Sequence, residues 1–194
     1  MDLGTLLSAC LGVGLAAACG FRVFVPLLIT SLAANTGHLT LAGGFSWIGT
    51  RAALITFAVA TLLEILAYYV PWVDNLLDTI AGPAAVVAGI VVAASVVTDT
   101  SPLMHWSLAI IAGGGAAAVT QGATTVARHV SSLATLGFGN HLLSTAEAVG
   151  SVFLSILSLL APLVAAMAVA AGGLLLLVMV MRHPWWRRTE QQRV

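Results

Sequence analysis

Four charged residues stand inside long apolar stretches of the sequence and are its first candidates for chemistry. Arg22, Glu64, Arg128 and Glu147 each have runs of apolar residues beside them. A charge near the centre of a bilayer costs about 2.5–3.5 kcal/mol on insertion scales, so such side chains face one another, water or a solute. Groups of this kind can bind an ion or a small polar solute, or relay protons.

Helical periodicity places further polar residues on the same faces as these charges. At 100° per residue, each set falls within a narrow arc, about 80° wide for the last one. The four stripes are Ser8, Cys19, Arg22, Pro26 and Thr30; Thr61, Glu64 and Tyr68; Thr120, Thr124, Arg128, Ser131 and Thr135; and Glu147, Ser151, Ser155, Ser158 and Pro162. Lipid offers these side chains no hydrogen-bond partner, so we expect the stripes to face one another or an internal cavity.

Two interpretations of this polar interior stay open. In the first, the residues only hold the bundle together, with Arg22 paired to Glu64 and Arg128 paired to Glu147. In the second, they form a path or binding site for an ion or a small polar solute. Both interpretations require the charges to meet inside the bundle.

A second candidate site follows residue 70, where Asp74 and Asp78 stand four residues apart. On a helix both carboxylates would face one way, a spacing that suits Mg²⁺ or another hard cation. The structural alternative is that Asp74 caps the third helix and Asp78 lies in its first turns, where the helix dipole favours negative charge. Zinc and nucleotide motifs are absent, and we expect no cofactor.

Composition indicates an integral membrane protein. The 194-residue chain is 60% hydrophobic and 7% charged, whereas soluble domains are about 25% charged. Apolar runs cover 3–34, 52–71, 79–98, 103–133 and 146–181. Since about twenty apolar residues span a bilayer, we predict an all-α bundle of about five spans, within a range of four to six.

Three of these runs are too long for straight helices, so they must tilt, kink or break. The expected causes are Gly20 and Pro26 in the first run, Gly113–Gly115 and Gly122 in the fourth, and Pro162 and Gly172–Gly173 in the fifth. A sixth span, made by dividing the last run at Pro162, is the main alternative.

Arginines predict the orientation. Residues 1–181 form one transmembrane domain, and the tail 182–194 carries four of the seven arginines in a chain without lysine. This places the C-terminus in the cytoplasm. With five spans, Arg51 and the 35–51 loop fall on the same side as the tail.

A weak internal similarity relates residues 1–98 to residues 103–181. In both halves a Gly/Ala-rich helix leads to an arginine, then to a loop with Gly, Asn and His, then to a helix with a glutamate. With five spans the halves run in opposite directions, as in the inverted repeats of transporters. Gly82, Ala85, Gly89 and Ala93 form a small-residue face for close packing within the fold or in a homodimer.

Particular motifs resemble a family of bacterial membrane proteins catalogued as domain of unknown function 4126. The resemblance rests on Cys19–Leu27, on Leu63–Glu64 leading to Pro71–Asn75 and Asp78, and, more loosely, on Glu147 and Pro162. It implies a small protein of the bacterial inner membrane and supplies no mechanism.

The favoured function is a small transporter or permease. Its polar site would use Arg22, Glu64, Tyr68 and Glu147, with Arg128 as ion-pair partner. The aspartates at 74 and 78 would lie at the outer mouth. The alternatives are a membrane enzyme acting on a lipid-linked substrate with a metal on those aspartates, and an accessory subunit of a membrane complex. A net charge of zero predicts no nucleic-acid partner.

Overall fold

A computed structural model describes residues 3–98, 100–135 and 139–182, except for the side chains of residues 71–78 and 180. These residues form helices and no strand, which confirms the all-α prediction. The helices are α1 (Leu3–Cys19), α2 (Phe24–Asn35), α3 (Arg51–Ala67), α4 (Pro71–Val96), α5 (Pro102–Ser107), α6 (Gly115–Thr135), α7 (Asn140–Leu160) and α8 (Pro162–Arg182). A 3₁₀ turn at Ser46–Gly49 precedes α3, and a π-helical segment at Leu108–Gly114 joins α5 to α6.

Four stretches of the described helices are long and apolar enough to cross a bilayer: Thr79–Val96, Pro102–Thr135, Asn140–Leu160 and Pro162–Met179. In the last of them only 6% of the residues are buried within the protein. Large apolar side chains such as Leu174 and Met179 are more than half exposed on α8. An outer face of this kind is stable in lipid and not in water, so the fold is a helical membrane bundle.

The first apolar run is broken into two helices. With 17 and 12 residues, α1 and α2 are about 25 and 18 Å long. Gly12 of α1 packs on Ala93 near the end of α4. After α2 the chain is close to that same end, since the Ala42 amide donates to the Ser95 carbonyl. The chain therefore reverses at residues 20–23, and we call this segment the link.

Glycine is required at the link because α6 passes very close. A methyl group added at Gly20 would lie 2.5 Å from Thr120 Cβ and 2.6 Å from the Ala117 carbonyl oxygen. Pro26, the other expected breaker, lies in the first turn of α2, where its missing N–H costs no helical hydrogen bond. The break therefore precedes the proline.

The last apolar run also reverses. Ala161 has φ −144° and ψ 71°, outside the helical region, and separates α7 from α8. Gly14 of α1 lies against both Ser158 before this break and Ala165 after it, so α7 and α8 form an antiparallel hairpin. This is the arrangement that a sixth span at Pro162 requires.

The hairpin changes the expected distribution of arginines. Five spans would put Arg51 and the C-terminal arginines on one side of the membrane. In the structure Ala165 of α8 lies beside Gly14 of α1, and Gly173, farther along α8, lies near Val119 of α6. Arg182 therefore ends at the side of the bundle opposite to Arg51. The physical reason is the additional reversal of the chain at Ala161. No charged residue lies near Ala161 in the sequence to indicate this reversal.

The fourth run stays continuous over Pro102–Thr135. Its glycines do not break it; Gly113 and Gly114 lie in the π-helical segment, and Gly113 packs against Gly89 and Ala93 of α4. Gly113 also lies beside Ala16, and Gly20 lies beside Thr120. The helices that open the two similar halves, α1 and α6, therefore run in the same direction, which is not the geometry of an inverted repeat.

We predict that Gly20→Ala destabilises the protein because the added methyl group collides with the backbone of α6. The expected loss is about 1–3 kcal/mol, measured as thermal or denaturant unfolding of purified protein in detergent. The matched control is Gly122→Ala in α6, where an added methyl group meets no described atom within 4 Å. This control should leave stability unchanged or raise it by up to about 1 kcal/mol. Equal stability of the two variants would contradict the prediction.

Candidate functional site

Arg128 and Glu147 form a buried ion pair between α6 and α7. The Arg128 Nε atom donates to Glu147 Oε1 at 3.0 Å, and Nη2 donates to Oε2 through a shorter contact. Each side chain is only 5% exposed. The two parallel bonds match the planar fork of a guanidinium, and they confirm the predicted pairing of these residues.

Arg22 lies at the link and is the most deeply buried charge of the described residues, with 1% of its side chain exposed. Its Nη2 atom donates to the Ser144 carbonyl oxygen at 2.8 Å and to the Ser144 hydroxyl at 2.5 Å. The same atom lies 3.6 Å from Glu147 Oε2. Glu147 is therefore shared by two arginines, and Arg22 approaches it in place of the expected partner, Glu64.

Glu64 instead accepts hydrogen bonds at the beginning of α2. Its Oε1 accepts from the Val23 amide at 2.7 Å, and its Oε2 accepts from the Phe24 amide at 3.1 Å. The free N–H groups and the dipole of a helix N-terminus favour an anion at this position. The side chain is partly exposed, unlike that of Glu147. A carboxylate supplied by α3 thus caps the helix that follows Arg22.

The aromatic ring of Tyr68 lies against the guanidinium groups of both arginines. The Cζ atoms of Arg22 and Arg128 lie 3.8 Å and 4.4 Å from the centre of the Tyr68 ring. A guanidinium over an aromatic face is attracted by the ring's quadrupole. The predicted stripe of Thr61, Glu64 and Tyr68 does bring this ring into the interior, since Thr61 and Tyr68 are each 8% exposed.

Two nitrogen atoms of Arg22 have no acceptor among the described residues. Its Nε and Nη1 atoms are buried and make no hydrogen bond within this part of the chain. Leaving a buried donor without a partner costs about 1–3 kcal/mol, and more for a charged group. The arginine at the link therefore retains unused capacity to bind an anionic oxygen.

The serine stripe of α7 is buried against α1, as the periodicity predicted. Ser151, Ser155 and Ser158 have no exposed surface, and the Ser151 hydroxyl donates to the Ala18 carbonyl oxygen at 3.0 Å. Ser144 lies on the same face and was missed. The signal was available, because Ser144 precedes Glu147 by three residues on the same helix.

The other sequence-predicted site lies near the N-terminal end of α4. Asp74 and Asp78 belong to α4, but their side chains lie outside the described residues. In the part of the chain that is described, no three His, Cys, Asp or Glu side chains are grouped so as to hold a metal ion.

Two open apolar cavities flank the link. One of about 470 Å³ between α1, α6, α7 and α8 is lined by Phe21, and one of about 560 Å³ between α2, α3 and α4 is lined by Val23 and Phe24. Phe21 and Val23, the residues before and after Arg22, therefore each line a cavity, although Arg22 itself lines neither.

Comparison with known protein families identifies a match. The model of the family described as Domain of unknown function (DUF4126) matches residues 9–183. That range includes every charged residue of the site. No curated protein and no solved structure matches the chain.

We predict that Glu147→Gln is strongly destabilising because an amide cannot neutralise the two arginines that share this carboxylate. Removing one partner of a buried ion pair costs about 3–5 kcal/mol, measured by unfolding of the purified protein in detergent. Arg51→Gln, at an exposed position, is the control and should change stability by no more than about 0.5 kcal/mol. A Glu147→Gln variant as stable as the control would show that the shared ion pair does not stabilise the fold.

Proposed function

The chain belongs to the DUF4126 family, and we propose that it is a small permease that moves a small anionic solute across a membrane. Arg22 would be the binding group, and the N-terminus of α2 would be the second source of positive potential. The observation that carries the proposal is the buried guanidinium of Arg22, whose Nε and Nη1 atoms have no acceptor among the described residues.

The chemistry of the site favours an anion over a cation. Two arginines and a helix N-terminus converge within the bundle, and both glutamates already accept hydrogen bonds from them. A guanidinium binds carboxylate and phosphate oxygens through parallel hydrogen bonds. Half-helix N-termini have the same role towards anionic substrates in transporters built from broken helices.

Glu64 suggests how such a solute would enter. Its carboxylate accepts hydrogen bonds from the amides of Val23 and Phe24. In the absence of solute it would therefore occupy the position that the anionic group of a bound solute takes. A solute carboxylate or phosphate would displace Glu64 from these amides and use the free N–H groups of Arg22. Binding would thus replace an internal contact without leaving the helix N-terminus uncapped.

The link provides a hinge for opening. Residues 20–23 connect two short helices, and Phe24 and Leu27 of α2 line an open apolar cavity, so α2 would tilt relative to α1 into that space. The paired Arg128 and Glu147 would remain as the fixed part of the site. Access would alternate between the two faces of the membrane as the hinge moves.

The membrane we propose is the bacterial inner membrane, with the C-terminus in the cytoplasm. The tail 182–194 carries four arginines, and the end of the bundle opposite to Arg182 carries Arg51. The excess of arginine at the C-terminal end therefore favours this orientation even with Arg51 on the other side.

We expect purified protein to be stabilised against thermal unfolding by at least one of chloride, nitrate, acetate and inorganic phosphate, in a saturable way. Stabilisation by a ligand follows from binding to the folded state alone and reaches about 2.7 kcal/mol at one hundred times Kd. The same anion should enter proteoliposomes, whereas K⁺ and glycerol should not.

The matched variants are Arg22→Gln, Arg22→Lys and Arg51→Gln. Arg22→Gln should lose both the stabilisation by the anion and the anion flux. Arg22→Lys should bind the anion at least tenfold more weakly, because an ammonium group lacks the planar fork of donors of a guanidinium. The third should behave as the wild type. Absence of any anion effect, or an unchanged Arg22→Gln, would refute the proposal, and a stoichiometric co-purifying partner would then favour an accessory subunit.

A further inference from the structure

We propose that the cavity between α1, α6, α7 and α8 is a binding site for one acyl chain of a bilayer phospholipid. The cavity has a volume of about 470 Å³ and lies next to the link, with Phe21 in its wall. Ligand sites in proteins commonly have volumes of about 300–1,000 Å³ and mainly apolar walls. No charged side chain of the described residues lines the cavity, so this site is separate from the one at Arg22 and does not depend on the permease proposal.

Glycines in the wall leave this space open, and close helix packing does not require them there. Gly115, Gly150 and Gly172 all line the cavity, and a methyl group added at any of them would meet no described atom within 4 Å. At Gly20 the same methyl group would collide with α6. The glycines of the cavity therefore leave room that no described part of the chain fills.

The wall of the cavity suits neither water nor an ion. Among the described residues that line it, Thr120 is the only one with a polar side chain. Cavities with apolar walls stay dry, because a water molecule inside them would have too few hydrogen-bond partners. The chemistry of the wall therefore favours a hydrocarbon occupant over water and over the anion that Arg22 would bind.

The cavity lies halfway along two of the helices that can cross the membrane. Gly150 is the middle residue of α7 and Gly172 is the middle residue of α8, and both line the cavity. The hydrocarbon core of a bilayer is about 30 Å thick, so its centre is reached by the terminal half of an acyl chain and is far from any head group. The bilayer therefore supplies a hydrocarbon chain at the depth of the cavity.

The mouth of the cavity is continuous with the lipid-facing surface of the bundle. Val119 of α6 and Phe153 of α7 line the cavity and are 52% and 66% exposed. Both belong to stretches that are long and apolar enough to cross a bilayer, where exposed apolar side chains contact acyl chains. The inner wall includes Ala17 of α1, which is only 1% exposed. A chain that enters sideways from the bilayer would reach Ala17, whereas lipid that stays outside the bundle would not.

The test uses the full-length protein in vesicles of phosphatidylethanolamine and phosphatidylglycerol. The vesicles also contain a small fraction of phosphatidylcholine that carries a diazirine near the end of one acyl chain. Irradiation releases nitrogen, the resulting carbene inserts into neighbouring bonds, and mass spectrometry locates the labelled residues. Lipid outside the bundle should label exposed positions such as Val59, the middle residue of α3, which is 51% exposed. A chain in the cavity should also label Ala17 or Phe21.

Two variants fill the cavity with protein. Gly150→Leu and Gly172→Leu each add a side chain from a different helix at a position with open space, so one variant replaces the other if that one does not fold. Each should lower the labelling of Ala17 and Phe21 by about tenfold, the effect of losing about 1.4 kcal/mol of binding. The labelling of α3 should not change. Gly122→Leu is the matched control, because Gly122 is exposed, has open space around it and does not line the cavity.

Three results would overturn this inference. The first is a wild type labelled on α3 but not at Ala17 or Phe21, which would show that lipid does not enter the cavity. The second is unchanged labelling of both residues in the two filled variants, once thermal unfolding shows that these variants are folded. The third is a wild-type dimer, measured by light scattering, that the filled variants dissociate, which would assign the cavity to a second copy of the chain.

Discussion

The structure depends on the sharing of one carboxylate, that of Glu147, by two arginines. The three side chains come from the link after α1, from α6 and from α7, which are far apart along the chain. Because a bilayer interior tolerates such charges only as neutral groups, these segments are constrained to meet at one place. The close packing at Gly20 and the serine contacts of α7 with α1 hold the same three segments together. The site and the fold are therefore stabilised by the same contacts.

Local periodicity made much of the interior predictable. Glu147, Ser151, Ser155 and Ser158 were placed on one face of a helix by their spacing, and all four are buried. The pairing of Arg128 with Glu147 could also be anticipated, because α6 and α7 are consecutive and a short connection makes them neighbours. Both results follow from the 3.6-residue repeat and from short connections, which are visible in a single sequence.

The reversals at residues 20–23 and at Ala161 were much harder to predict. Neither is marked by a polar loop in the sequence. The first lies in an apolar run whose one charged residue is Arg22, and the second lies fourteen residues beyond Glu147. Pro26 and Pro162 signalled that a break was near, but they could not distinguish a kink from a full reversal. That distinction depends on tertiary contacts such as Gly20 on α6. The partner of Arg22 was misjudged for the same reason, since it is chosen by the position of α7 relative to the link.

The π-helical segment at Leu108–Gly114 bears on how members of this family should be aligned. A π turn holds about one residue more than an α turn. This segment can therefore lose one residue by becoming α-helical, while the side chains of α5 and α6 continue to point towards the same neighbouring helices. The same deletion between Gly115 and Arg128 would turn the Arg128 side chain by about 100° relative to the helices on which α6 packs, away from Glu147. Single-residue gaps among homologues should therefore concentrate in Leu108–Gly114 and avoid the stretch that carries Arg128.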